Sequence, residues 1–87
     1  MPRVIIPFPL RKHADNQREV VIDGGNLRET IERLLQQYPG FESLNDNSVF
    51  VSIFINHELV RAAFEKWGEL LLNRDDEVTL VIPIAGG

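Results

Sequence analysis

The sequence contains no cysteine. Disulfides, thiolate metal sites and a cysteine nucleophile are therefore excluded, and the chain suits a reducing, cytoplasmic compartment. No apolar run approaches the 18 or so residues that a membrane span requires. The opening "MPRVIIPFPL" has one basic residue, an apolar run broken by prolines and no cleavage-site pattern, so it does not read as a secretory signal. A basic surplus is missing too. The formal net charge is -4, with a pI near 5.0. That argues against general nucleic-acid binding, which relies on a basic surface to release counterions. It permits steering toward a basic protein partner. There is no Ser-His-Asp set, phosphate loop or pair of catalytic carboxylates. His13 with Asp15, and His57 with Glu58, lack a metal-ligand spacing and read as solvated loop histidines. No metal, bound cofactor or enzymatic activity is expected.

What is present suits one small globular domain spanning residues 1–87. Hydrophobic residues make up 44% and charged residues 25% of the chain, both ordinary for such a fold. "RVIIPF" predicts a first strand, with Val4, Ile6 and Phe8 on one face and Ile5 and Pro7 on the other. "PLRKHADNQ" reads as a polar loop and "EVVID" as a second strand, stopped by Gly24 and Gly25.

Asn26 is a good N-cap for a helix over Leu27 to Tyr38, with Glu29 as the capping-box acid. Leu27, Ile31, Leu34, Leu35 and Tyr38 form its apolar stripe, and Pro39 with Gly40 ends it. "VFVSIFI" (Val49 to Ile55) is the strongest strand pattern. A turn at "NHE", a short return strand "LVR", a helical turn near Phe64 to Trp67, a turn over Asn73 to Asp76 and a last strand "EVTLVIP" complete the chain. Trp67 fits either an interface anchor or a lid on the core. The order predicts an α+β β-grasp: a mixed sheet of four to five strands, its first and last strands parallel, with one main helix packed on one face.

Parity along the strands leaves an apolar outer face. Val49, Val51, Ile53 and Ile55 point to the helix, and Ser52 marks the opposite side as outer. The uncovered face then carries Ile5, Pro7, Phe54 and Val81. Contiguous apolar surface of this kind marks binding sites. The alternative is that "PLRKHADNQ" or "AAFEKWGELLL" folds over part of it.

The last strand runs into "PIAGG". Pro83 interrupts strand pairing. Ala85, Gly86 and Gly87 then provide a tail with almost no side chains, around which another protein's backbone can close. Residues 83–87 read as a flexible tail that reaches about 17 Å when extended. Its terminal carboxylate is ionised at neutral pH. A weak nucleophile, it can attack the α-phosphate of ATP once an enzyme grips it. The resulting acyl adenylate is open to sulfur or to an amine.

"NRDDEVTLVIPIAGG", preceded by "VFVSIFINHELVR" and opened by "RVIIPF", resembles the ubiquitin-like sulfur carriers of the MoaD, ThiS and CysO type. The resemblance covers essentially the whole chain. It implies that an ATP-dependent activating enzyme adenylates the Gly87 carboxylate, which a sulfur donor converts to a thiocarboxylate. A sulfur-accepting synthase then receives the sulfur in a molybdopterin, thiamin or cysteine-type pathway. In this reading ATP is the partner's cosubstrate, and the chain is a carrier, with a non-catalytic small subunit of a molybdopterin-synthase-like complex as one form.

Gly86 and Gly87 match the family's diglycine, and Ala85 the small residue before it. Pro7, Leu59 and Val81 match positions of apolar partner contacts, with Phe54 beside them. "PLRKH" and Phe54 resemble the CysO branch. The family's acidic turn usually contains glycine where this chain has "NRDDEV", so a positive φ there would fall on Asn or Asp. A ubiquitin-like protein modifier and a plain β-grasp interaction module are the alternatives. With Lys12 and Lys66 as the only lysines, the sequence gives little support to chain-on-chain conjugation.

Overall fold

The computed structural model of the chain describes residues 1–41 and 52–81. The sequence features at Val49 to Val51 and at Ile82 to Gly87 lie outside the described residues. Five strands form one sheet: β1 (Arg3–Ile5), β2 (Glu19–Val21), β3 (Ser52–Ile55), β4 (Glu58–Leu59) and β5 (Glu77–Val81). Their order is β2-β1-β5-β3-β4. β1 and β5 are parallel neighbours at the centre, in the register Arg3 with Glu77, Val4 with Val78 and Ile5 with Thr79. The other pairings are antiparallel. This is the expected β-grasp arrangement.

The helix α1 (Leu27–Gln37) forms where its stripe and cap require. Asn26 Oδ1 accepts from the Glu29 N–H at 2.8 Å, satisfying one of the first-turn donors. The Glu29 carboxylate does not return to the N-cap. It accepts from the Gly25 N–H at 3.0 Å, one residue earlier. Leu27, Ile31 and Leu34 are buried against the inner sheet face, where Val4, Ile6, Val20, Ile53, Val78 and Leu80 meet them. Tyr38 closes the helix as its C-cap, and the buried Phe41 follows.

Several local expectations are corrected. Phe8 does not continue the inner face of β1; it is 79% exposed. The strand stops at Ile5 because Pro7 offers no N–H for pairing. The supposed polar loop is instead a 3-10 helix (Phe8–Ala14), started by the Leu10 N–H donating to the Pro7 carbonyl at 2.9 Å. It sends Leu10 and Ala14 into the core. The return strand is Glu58–Leu59, one residue earlier than "LVR".

A later 3-10 helix (Phe64–Glu69) lies against α1. Trp67 packs half-buried on the core, and its indole N–H donates to the Ala62 carbonyl at 3.1 Å. It therefore serves as a lid on the core. The following residues form a short antiparallel rung with the helix start, through Leu27 N–H to Leu70 O and Leu72 N–H to Gly25 O.

Candidate functional site: an apolar sheet face at the tail end

Both segments that might have covered the outer face lie on the helix side. Leu10 and Ala14 from one, and Leu72 from the other, belong to the same inner core. The outer face therefore presents a row of side chains in register across four strands: Ile5 on β1, Thr79 on β5, Phe54 on β3 and Leu59 on β4. Ile5 and Phe54 are half-buried by their neighbours, and Leu59 is exposed. One row further along β5, about 7 Å on, Val81 stands opposite Ser52 and is 39% exposed. Pro7, half-buried, follows β1 at the same end. The structure thus assembles Ile5, Phe54, Leu59 and Val81 on one surface, with Pro7 at its margin.

Along the parallel strands β1 and β5 the face is graded. At its far end Arg3 lies 3.4 Å from Glu77 and 3.9 Å from Glu19, across three neighbouring strands. These exposed pairs add little stability. They make that end of β1 and β5 polar, whereas antiparallel β2 runs the other way, with the exposed Val21 opposite Arg3 and Glu19 opposite Ile5. The apolar end is the one where β5 finishes at Val81 and the chain continues toward Ala85, Gly86 and Gly87. Sequence parity found the outer residues but not this gradient, which depends on strand register. The alternation of Arg3 with Ile5 and of Glu77 with Val81 was its only sequence signal.

The start of β5 is clamped to the β3–β4 hairpin. Asn56 and His57 both have positive φ, 50° and 74°, forming a two-residue turn suited to the sheet's twist. Asn56 donates its N–H to the Glu77 carbonyl at 2.8 Å, and its Oδ1 accepts from the Glu77 N–H at 2.9 Å. Its amide Nδ2 donates to Asp76 Oδ1 at 2.8 Å, while Asp76 Oδ2 accepts from the Asn73 N–H, also at 2.8 Å. These two donors, the Asn56 amide foremost, hold the Asp76 carboxyl below its ordinary value; its slight burial opposes them.

The acidic turn consequently manages without glycine. Its residues have no positive φ, contrary to the expectation for "NRDDEV"; the turn is closed by the Asp76 N–H donating to the Asn73 carbonyl at 3.0 Å and the Asn73 N–H donating to Asp76 Oδ2. Among the described residues no group of three or more His, Asp or Glu is placed to hold a metal. No helix of the described chain is long and apolar enough to cross a membrane.

A family model described as the ThiS family matches residues 4–87. No curated protein matches significantly. Among solved structures, CysO of Mycobacterium tuberculosis is 31% identical, over 97% of this chain and 100% of that one, with a TM-score of 0.79. A chain of the BexX/CysO complex of Amycolatopsis orientalis is 25% identical over the full length of both, with a TM-score of 0.82. The small archaeal modifier protein 1 of Methanosarcina acetivorans shares the fold at 23% identity, over 99% of this chain and 95% of that one, with a TM-score of 0.76.

Proposed function

The chain belongs to the ThiS family, and from that premise we propose that it is a sulfur carrier whose working group is the carboxylate of Gly87. The observation that carries this reading is the family match extending through residue 87, and thus through Gly86 and Gly87. An ATP-dependent activating enzyme grips the tail at Ala85 and Gly86. The carboxylate oxygen attacks the α-phosphate of ATP, and pyrophosphate leaves. Sulfide from a donor then attacks the acyl carbon and expels AMP, leaving a thiocarboxylate. A synthase accepts the sulfur from it, in a pathway of the molybdopterin, thiamin or cysteine type. The carrier supplies no acid, base or metal to these steps. The apolar face of Ile5, Pro7, Phe54, Leu59 and Val81 is its docking surface, and a cytoplasmic setting suits the cysteine-free sequence.

The A. orientalis structure is a complex of BexX and CysO, which favours a carrier that works while docked to another protein. The likeness to an archaeal modifier protein keeps a second outcome of the same activated carboxylate in view, transfer to a lysine amine. One variant tests the shared premise. Adding an alanine after Gly87 moves the carboxylate one residue outward. In cells lacking a protease that trims it, the extended chain should fail to support the pathway that the native chain supports. Full support by the extended chain would overturn the reading.

A further inference from the structure

Arg11, Lys12 and Arg18 are unpaired cations in an acidic chain: among the described residues none of them forms an ion pair. Arg3, Arg28, Arg33 and Lys66 each face a carboxylate. The other unpaired arginines lie elsewhere: Arg61 lines a cleft with Glu58, and Arg74 adjoins Asp75, much as Arg18 adjoins Glu19 and lines a hollow with it. Arg11, Lys12 and Arg18 belong to one connection, running from the first 3-10 helix to the start of β2. Within residues 8–18 its single acidic residue is Asp15, the left-handed cap of that helix, and Glu19 follows Arg18 as the first residue of β2. Because β1 is parallel to β5 and antiparallel to β2, this connection sits at the sheet end where β5 finishes at Val81. It therefore adjoins the apolar ends of β1 and β5.

Phe8 stands within the same connection, 79% exposed. It is not a loose side chain on a loose loop. Pro7 and Pro9 flank it, and the Arg11 guanidinium carbon lies 5.6 Å from its ring centroid. Arg11 is itself anchored, its Nε donating to the Ile6 carbonyl at 3.1 Å. Phe8, Pro9, Arg11, Lys12 and Asn16 line a shallow hollow of about 340 Å³. Aromatic residues and arginine are enriched at protein interfaces.

We propose that this surface docks an acidic segment of the protein partner that receives the tail. Carboxylates of that segment meet Arg11, Lys12 and Arg18, and an apolar side chain enters the hollow at Phe8 and Pro9. The occupant is protein rather than nucleic acid. Three cations on a body of net charge -4 make a poor polyanion site, and Phe8 and Pro9 supply an apolar floor. The inference rests on the carrier reading and deepens it. The apolar face supplies contact area, while this basic margin sets orientation and on-rate, the usual contribution of charge at an interface.

The test uses the intact chain and its cognate ATP-dependent activating enzyme, with association measured across a salt series and tail conversion followed by mass. Lys12→Glu/Arg18→Glu leaves the Arg11 bond to Ile6 in place, which guards against misfolding; circular dichroism checks it. That variant should bind about ten-fold more weakly, with a shallower salt dependence and little change in kcat. Phe8→Ser should weaken binding without altering the salt slope, and Lys66→Glu should change neither. Carbodiimide cross-linking should join a partner carboxylate to Lys12 and not to Lys66.

Equal affinity and salt slope for the native chain and Lys12→Glu/Arg18→Glu would overturn the docking proposal, even if every tail were converted. Binding that depends on the patch, with no tail conversion, would support the docking surface and overturn the carrier reading. No association of the native chain would overturn both. Binding of a single-stranded DNA oligonucleotide that is lost in Lys12→Glu/Arg18→Glu would overturn the assignment to a protein segment.

Discussion

The side-chain amide of Asn56 donates to the carboxylate of Asp76 at 2.8 Å, tying the β3–β4 turn to the start of the central strand β5. Asn56 is left-handed at φ 50° and also brackets both backbone groups of Glu77. One residue thus makes the hairpin turn and fixes where β5 begins. The register of β5 in turn decides which of its residues face outward.

Asn56→Ala removes the side-chain bonds and places a poorly tolerated residue at positive φ. Asn56→Gly removes the bonds alone. The alanine variant should be destabilised by about 2–3 kcal/mol and the glycine variant by less. Urea unfolding of both variants checks this ordering.

Asp76 has a folded pKa below its ordinary value of 3.8. The unfolded chain therefore takes up this proton at a higher pH than the folded chain does. The stabilisation from Asp76 is fully present above the unfolded value and is lost as pH falls through the folded one. Asp76→Ala should be less stable than the native chain at neutral pH, and the gap should narrow below about pH 4. Unfolding curves at several pH values measure it. A gap that widens in acid would contradict the assignment.

Gly24 is buried beside the buried Thr30. A methyl group there would collide with Thr30 Oγ1 and with the Thr30 backbone, which belongs to the helix and cannot swing aside. Gly24→Ala should cost about 1–3 kcal/mol. Gly25→Ala, with open space around it, is the matched control in the same thermal unfolding experiment.

Most of the architecture was legible in these residues before any coordinates. Asn26 announced the helix start, and alternation around Ser52 separated inner from outer positions on β3. Errors arose where a local rule met a longer-range one. Phe8 continues the alternation of Val4 and Ile6, but Pro7 ends the pairing that gives alternation its meaning. The first connection looks polar because Leu10 and Ala14 are its only buried side chains, and its charged residues hide a 3-10 helix. The turn at Asn73 to Asp76 needed no glycine, because it closes on hydrogen bonds between Asn73 and Asp76 without a positive φ. The outer face was legible as a set of residues. The charged and apolar ends of β1 and β5 were not, since they emerge only when these two strands are set in register.

Val81→Asp and Leu59→Asp place a charge at exposed positions of that face. Both variants should fold with stability within about 0.5–1 kcal/mol of the native chain. Each should lose about ten-fold or more in productive encounter with the activating enzyme, measured as kcat/KM for tail adenylation. Adenylation at the native rate would show that this face is not a docking surface.

The most direct measurement is the intact mass of the chain after incubation with its activating enzyme, ATP and a sulfide source. The account predicts a mass increase equal to one oxygen replaced by sulfur, located in the C-terminal peptide and absent when Gly87 is removed. An unchanged mass with an enzyme proven active on another carrier would contradict it.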